Sequence, residues 1–148
     1  MTRPSPRAPG RVLGVDLGSR RIGLALSDPG GHIASPHRVL RRAKQQVDDH
    51  RAILGVAREN DAVLIVVGLP LSLSGELGPA ARATLEEVDA MRERAGADLH
   101  IETYDERLTT VTAERSLNEA RLTREERRKV VDKVAAAVML QSWLESNR

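Results

Sequence analysis

Three acidic residues of this chain border apolar segments and could together bind a metal ion. Asp16 lies in the apolar run VLGVDL, where an ionised carboxylate is costly to bury unless a cation or several donors compensate it. Glu106, with its neighbour Asp105, follows the segment LHIETY, and Asp132 precedes the apolar segment VAAAVML. Carboxylate ligands in a chain without cysteine favour Mg²⁺ or Mn²⁺ over zinc. Such ions clamp a scissile phosphate and activate water, so the three acids predict hydrolysis of phosphodiester bonds.

Each of these acids also has a purely structural interpretation. Asp16 could cap the turn that follows it, and residues 105–107 could form a turn whose charges satisfy one another. Asp132 could form an ordinary salt bridge with Arg128 or Lys129, and on spacing alone this is the simpler interpretation. The metal site is favoured because all three acids border apolar elements that a covered sheet would bring together.

Basic side chains cluster in two stretches of a chain whose formal net charge is only +2. Residues 121–133 carry six basic against three acidic side chains, and residues 38–51 carry five against two. Such clusters predict a face that binds a polyanion, although solvated helix faces would give the same pattern. The candidate nucleic-acid contacts are Arg20, Arg21, Arg107, Arg124, Arg127, Arg128 and Lys129.

Aromatic residues are almost absent, with one Trp, one Tyr and no Phe. Proteins that bind single strands usually stack the bases on aromatic side chains, which this chain cannot supply in number. Binding would therefore depend on phosphates and shape, which favours a structured nucleic acid.

The chain length of 148 residues and a hydrophobic content of 41% predict one globular domain over residues 11–148. Residues 1–10 lack the apolar core of a signal peptide and are expected to form a disordered tail. No apolar run approaches the roughly 18 to 20 residues that span a bilayer. The absence of cysteine excludes disulfides and favours a cytoplasmic location. We expect a monomer or a homodimer.

The pattern of apolar residues predicts an α/β fold built on a five-stranded mixed sheet. Two apolar runs flank residues 18–21 and predict an antiparallel hairpin. The segment AVLIVV has no polar alternation, which indicates a strand buried on both faces and hence helices on both faces of the sheet. Pro36 lacks an N–H and suits an edge strand. We expect strands over residues 12–17, 22–27, 32–40, 62–67 and 99–104, and helices over residues 45–60, 79–94, 111–119 and from the Thr123 cap to the C-terminus.

These elements would bring the three acids to one edge of the sheet. Ligand sites in such sheets lie at the carboxyl ends of parallel strands, where Glu106 falls. Ala135 and Ala136 follow Asp132 and let the last helix lie close to the sheet, so that Asp132 could reach over it. The residues of this helix that are expected to face the core are Val130, Val131, Val134, Val138 and Leu144.

Four segments of the chain resemble the YqgF/RuvX family, and they occur in the family's order and spacing over residues 11–145. They are GVDLGSRRIGLALSD, VVGLPLSLSGELGP, DERLTTVTAE and VVDKVAAAVMLQSWLE. The resemblance implies a ribonuclease H-like fold and a nuclease that depends on Mg²⁺ or Mn²⁺. It also implies a bacterial cytoplasmic role at the 5′ end of precursor 16S rRNA, with resolution of Holliday junctions in branched DNA as the alternative. The family's catalytic and metal-binding acids fall on Asp16, Glu106 and Asp132.

The chain departs from the family pattern at two places. Ser72 and Ser74 replace the amide and the acid of the family's GLPLNMDG loop, which weakens any role for this loop in binding substrate or metal. The segment before Asp132 lacks the usual glycine and the KKR-like run, and Asp132 has no second acid three or four residues later. A second metal ion would therefore need Asp105 or oxygen atoms of the substrate.

Two other classes of protein share part of this pattern. The sequence Asp-x-Gly-Ser in a hairpin also begins the sugar-kinase and Hsp70-like ATPases, in which the turn binds ATP phosphates. Those proteins need two such domains and a chain more than twice as long. A nucleic-acid-binding module without catalysis would keep the basic face but would lack the metal site.

Overall fold

The computed structural model describes residues 10–108 and 124–147, with the side chains of residue 108 and residues 124–133 outside the description. This part of the chain forms a five-stranded sheet with helices on both faces. The strands are β1 (Arg11–Leu17), β2 (Arg21–Ser27), β3 (Ala34–Arg41), β4 (Ala62–Leu69) and β5 (His100–Asp105). The helices are α1 (Gln46–Glu59), α2 (Pro79–Ala95) and α3 (Arg124–Ser146), and a 3₁₀ turn covers Glu106–Leu108. The order of the strands in the sheet is β3-β2-β1-β4-β5.

The sheet is mixed, as the order of strands and helices predicted. β1 pairs with β2 and β2 with β3 in antiparallel hairpins, whereas β4 runs parallel to both β1 and β5. β3 lies at an edge, and Pro36 faces Ala25 where the register of the β2–β3 pair shifts. An edge strand tolerates proline because it pairs with a neighbour on one side only, so that an N–H on its open side is not needed.

The two faces of the sheet carry separate hydrophobic cores. Leu13 and Val15 of β1 pack with α1 and α2, whereas Val12 of β1 packs with α3. β4 contributes to both cores, since Ile65 faces α1 and α2 while Val66 faces α3. The prediction of a strand buried on both faces is confirmed. By strand alternation, Asp16 points to the same face as Val12, which is the face that α3 covers.

Helix α3 can lie close to β1 because Gly14 has no side chain. A Cβ atom added at Gly14 would lie 2.9 Å from Leu140 Cβ and 3.3 Å from the Ala136 carbonyl oxygen. Ala136 is buried at this contact, as its small size predicted. The close approach fixes how α3 is rotated about its axis.

The inward-facing residues predicted for α3 are partly wrong. Leu144 is buried, but Val134 and Val138 are only partly buried, and the side chains of Val130 and Val131 lie outside the description. The rotation that places Ala136 on Gly14 puts Val134 and Val138 at the side of the buried face. Among the side chains of α3 that the structure describes, the buried ones are Ala136, Ala137, Met139, Leu140, Trp143 and Leu144.

Several predicted bounds differ from those observed. β3 begins at Ala34 rather than at residue 32, because the Asp28 carboxylate accepts hydrogen bonds of 2.7 Å from the backbone N–H groups of His32 and Ile33 and prolongs the turn. The predicted helix over residues 111–119, the Thr123 cap and nearly all of the predicted tail lie outside the described residues. None of the described helices is long and apolar enough to cross a bilayer.

Candidate active site

Asp16 and Glu106 meet at the edge of the sheet where the parallel strands end. Asp16 is the penultimate residue of β1, and Glu106 follows the last residue of β5. β4 lies between these two strands and carries Gly68 near its end. A Cβ atom at Gly68 would overlap the Glu106 carboxyl group and lie 2.6 Å from its Cγ and Cδ atoms. The Glu106 side chain therefore crosses β4 through the space that Gly68 leaves.

The Asp16 carboxyl group perturbs the ionisation of Glu106. Burial, and after it the negative charge of Asp16, a hydrogen bond shared with Asp16 and the charge of Asp105, together raise the pKa of Glu106 to about 8. Two carboxyl groups that share one site repel each other when both are ionised, unless a cation compensates the charge. At neutral pH the pair therefore retains a proton at Glu106.

Asp132 lies in α3, four residues before Ala136. The Ala136 carbonyl group is the one that approaches Gly14, and Gly14 precedes Asp16 by two residues on the same face of β1. The side chain of Asp132 lies outside the description. Among the side chains that the structure describes, no group of three or more acids and histidines could hold a metal ion.

Asp105 and Arg107 form the self-satisfied turn that was one interpretation of residues 105–107. The Arg107 Nε atom lies 2.8 Å from Asp105 Oδ2 and 3.0 Å from Oδ1, and the Arg107 backbone N–H donates to the same Oδ1. This guanidinium lowers the pKa of Asp105. Glu106, which lies between these two residues in the chain, extends toward Asp16 instead.

Arg107 also contacts the loop between β4 and α2. Its Nη1 atom donates to the Leu73 carbonyl oxygen at 3.4 Å. The two serines of this loop bind locally, since Ser72 Oγ lies 2.9 Å from Ser74 Oγ and accepts a hydrogen bond of 3.1 Å from the Glu76 N–H. Leu73 is 95% exposed at the tip. The loop is thus a closed turn beside the acid pair.

Comparison with known proteins identifies the family. The family model for RuvX, described as "Holliday junction resolvase", matches residues 10–146. The chain belongs to the RuvX family. Similar relatives bear the name "Putative pre-16S rRNA nuclease". One from Mycobacterium sp. (strain KMS) is 42% identical over 99% of this chain and 87% of its own length. Another from Roseiflexus sp. (strain RS-1) is 43% identical over 95% of this chain and 97% of its own length.

Solved structures confirm the ribonuclease H-like fold. Thermus thermophilus RuvC in complex with a Holliday junction substrate superposes with a TM-score of 0.56 and 18% identity, covering 93% of this chain and 94% of RuvC. A second structure of Thermus thermophilus RuvC gives a TM-score of 0.51 with 16% identity, covering 93% of this chain and 98% of that RuvC chain. The RuvX family is a family of nucleases, so the reaction class is the hydrolysis of phosphodiester bonds.

The predicted basic contacts lie on three separate parts of the chain: the β1–β2 hairpin, the 3₁₀ turn after β5, and α3. Arg20 is exposed on the turn between β1 and β2, and Arg21 begins β2 half-buried. Arg107 is paired with Asp105, as described above. The remaining four lie in the first turns of α3, and their side chains are outside the description: Arg124, Arg127, Arg128 and Lys129.

Two features near the site were missed by the sequence interpretation. Gly68 was counted only as part of a loop, because nothing local indicates that a side chain from another strand fills its place. A buried group of Arg42, Asp49, His50 and Glu87 was also missed, because Glu87 lies 37 or more residues from the other three and no local pattern joins it to them. One signal was available for His50, which precedes the apolar Ile53 and Leu54 by three and four residues and so lies on the buried stripe of α1.

Proposed function

We propose that this chain is a nuclease that depends on Mg²⁺ or Mn²⁺ and processes the 5′ end of precursor 16S rRNA. The observation that carries the proposal is the meeting of the Asp16 and Glu106 carboxyls at the carboxyl edge of the sheet, over Gly68. Relatives that are 42 to 43% identical and named for pre-16S rRNA support the choice of substrate.

The chemistry of this donor set fits a divalent cation. Two carboxyls that share a hydrogen bond, one with a pKa raised to about 8, hold a proton that a doubly charged cation would replace. Oxygen donors select Mg²⁺ or Mn²⁺. Asp16 and Glu106 would hold the ion, and we assign Asp132 as the third ligand. When bound, the ion supplies a Lewis acid that lowers the pKa of water and stabilises charge on the phosphate.

The other residues of the proposed site orient the nucleic acid. Arg20 and Arg21 follow Asp16 on the adjoining turn, and a guanidinium group binds two phosphate oxygens at once. Their contacts would set where the backbone lies relative to the carboxyls. Arg107 can contribute only the exposed side of a guanidinium that already binds Asp105. The same phosphate-binding role is proposed for Arg124, Arg127, Arg128 and Lys129.

The proposed partner is a structured nucleic acid. The single tyrosine and the single tryptophan are both engaged within the protein, since the Tyr104 hydroxyl lies 2.7 Å from Ser142 Oγ and Trp143 Nε1 donates to Glu102 Oε1 at 2.6 Å. Neither forms an exposed platform for stacking bases. A cytoplasmic location and a monomeric or homodimeric state are part of the same proposal.

Branched DNA is the second candidate substrate. The description of the family model, "Holliday junction resolvase", favours it. The same pair of acids would serve either substrate, because a phosphodiester is the reacting group in both. Only a direct comparison of substrates separates the two.

The test is cleavage by the purified chain, with Mn²⁺ or Mg²⁺, of a precursor 16S rRNA 5′ end and a four-way DNA junction in parallel. Asp16→Asn removes the central carboxylate, and Asp89→Asn on the exposed face of α2 is the matched control. Cleavage of the RNA alone, lost in Asp16→Asn and kept in Asp89→Asn, supports the proposal. Cleavage of the junction alone selects the second candidate. If neither is cut, or if Asp16→Asn cuts as well as wild type, the proposed metal site is wrong.

A further inference from the structure

A cluster of four charged or polar side chains is buried on the face of the sheet opposite α3. Arg42 follows β3, Asp49 and His50 lie near the start of α1, and Glu87 lies in α2. The side chains of Asp49, His50 and Glu87 are 4%, 2% and 5% exposed, and that of Arg42 is 16% exposed. Burial of ionised groups is costly unless each finds its partners.

Each side chain of this cluster has a partner at hydrogen-bond distance within it. Arg42 Nη1 and Nη2 donate to the two carboxylate oxygens of Glu87 at 2.7 Å and 2.8 Å, and Nη1 also donates to Asp49 at 3.2 Å. His50 Nε2 lies 2.8 Å from Glu87 Oε1. Burial raises the pKa of Glu87, but the hydrogen bonds from Arg42 and His50 outweigh it, so that the pKa is lowered. Glu87 is thus an ionised anchor for the Arg42 guanidinium.

Two further donors of Arg42 reach the turn that follows Asp16. Arg42 Nε donates to the Gly18 carbonyl oxygen at 2.9 Å, and the Arg42 backbone N–H donates to the Arg20 carbonyl oxygen at 2.9 Å. The Gly18 N–H in turn donates to the Asp16 carbonyl oxygen at 3.1 Å. One arginine therefore holds the β1–β2 turn at two points, both within four residues of Asp16.

We propose that Arg42 is a positioning residue of the nuclease reaction, which holds the β1–β2 turn and thereby the carboxylate of Asp16 and the guanidinium of Arg20. This inference rests on the proposed function. Glu87, Asp49 and His50 orient the Arg42 fork so that Nε points at Gly18. Arg42 never contacts the substrate and acts only through the turn.

The geometry requires arginine rather than any cation. The guanidinium group satisfies two oxygens of Glu87 and one of Asp49 on one edge, while Nε on the other edge binds Gly18. A lysine would keep the charge but has a single ammonium group, which cannot bind Glu87 and Gly18 in these directions at once. A buried ion pair is often no more stabilising than packed apolar side chains of the same volume. Stability alone therefore does not explain the cluster, whereas its contact with the β1–β2 turn does.

The test compares Arg42→Lys and Glu87→Gln with wild type. The matched controls are Arg82→Lys and Glu86→Gln, which lie on α2 with exposed side chains. Two quantities are measured at a temperature at which all variants are folded: kcat and KM for cleavage, and the hydrogen-exchange rates of the amides of residues 17–21. We expect Arg42→Lys to lower kcat by about ten- to a hundredfold with a smaller change in KM, because displacing a catalytic group by about 1 Å can cost that much. Exchange in the turn should rise about tenfold or more, and the controls should match wild type.

The outcomes separate the inference from the proposed function. A lower Tm with unchanged kcat and unchanged exchange in the turn would mean that Arg42 is merely structural and would overturn the inference. If Arg42→Lys does not fold, Glu87→Gln, which keeps the shape of Glu87, takes its place. It should likewise lower kcat and speed up exchange in residues 17–21, and no change in either would overturn the inference. If wild type cleaves neither substrate, the proposed function fails and the catalytic role of Arg42 fails with it. The exchange rates then still decide whether Arg42 holds the turn.

Discussion

The acid pair itself allows a prediction about stability that needs neither metal nor substrate. Glu106→Gln removes a carboxyl group and keeps a side chain of nearly the same shape. In the presence of EDTA, this variant should be more stable than wild type at about pH 8 and close to it at about pH 5. A substitution at a proposed catalytic residue would thus stabilise the protein.

The sign follows from where Glu106 binds its proton. Its pKa in the folded protein is raised to about 8 from an ordinary value of 4.5, first by burial and then by Asp16. Between these values the folded state holds a proton that the unfolded state has lost. The stability that the protonated group contributes is fully present below about pH 4.5 and is lost as the pH rises to about 8. Glutamine does not titrate and escapes this loss.

The magnitude follows from the same difference in pKa. At about 1.4 kcal/mol per pKa unit, the shift from 4.5 to about 8 corresponds to roughly 4 to 5 kcal/mol at full effect. The half-buried pair retains contact with solvent, which screens its charges, so we expect about 2 kcal/mol in practice. Urea unfolding of both proteins at about pH 5 and pH 8 measures the difference in free energy of unfolding.

Two further measurements sharpen this test. Glu86→Gln, on the exposed face of α2, controls for the loss of one negative charge and should show the pH dependence of wild type. Adding Mn²⁺ at about pH 8 should reverse the order, because an ion that binds only the folded state stabilises wild type more than the variant. If wild type and Glu106→Gln lose stability in parallel between about pH 5 and pH 8, burial and Asp16 do not raise the pKa of Glu106 and the reasoning is refuted.

Three other substitutions test separate contacts. Gly68→Ala should lower Mn²⁺ affinity in calorimetry by about tenfold or more while Tm changes little, because the new Cβ displaces only the flexible end of Glu106; tight Mn²⁺ binding would contradict this placement. Gly14→Ala should lower the free energy of unfolding by about 1 to 3 kcal/mol, since its Cβ would meet Leu140 Cβ at 2.9 Å, and an unchanged urea midpoint would refute the close packing of α3. Arg107→Met should let the pKa of Asp105 rise towards its ordinary range, measured by NMR titration of the carboxyl, and a pKa that stays low would show that another group holds it down.

Much of the fold could be predicted because its signals are local. A few consecutive residues were enough to predict the buried strand AVLIVV, the edge position of Pro36 and the hairpin turn. The meeting of Asp16 and Glu106 was predicted only from a general rule about where parallel strands end. The chemical roles of these acids, and the place of the Asp132 side chain, stay predictions.

The missed features depend on contacts between distant segments. The face that α3 presents to the sheet is set by Gly14, which is more than a hundred residues from Ala136 in the chain. Helical periodicity alone could not choose between the stripe that contains Val134 and Val138 and the one that contains Leu140. Glu87, which binds both Nη atoms of Arg42, lies 45 residues away in the chain. No local pattern distinguishes it from the exposed Glu86 beside it.

The position of Asp16 is determined from both faces of the sheet. On one face, Gly14 admits α3 to within contact distance of β1, and α3 is the helix that carries Asp132. On the other face, Arg42 is held by Glu87 and fixes the turn into which β1 leads. The carboxylate of Asp16 thus lies where two independently packed layers meet, and Glu106 reaches it across a strand that leaves a gap at Gly68. A site assembled in this way can hold the two carboxyl groups together even when both are ionised, because a shift of either layer that separated them would break that layer's own contacts.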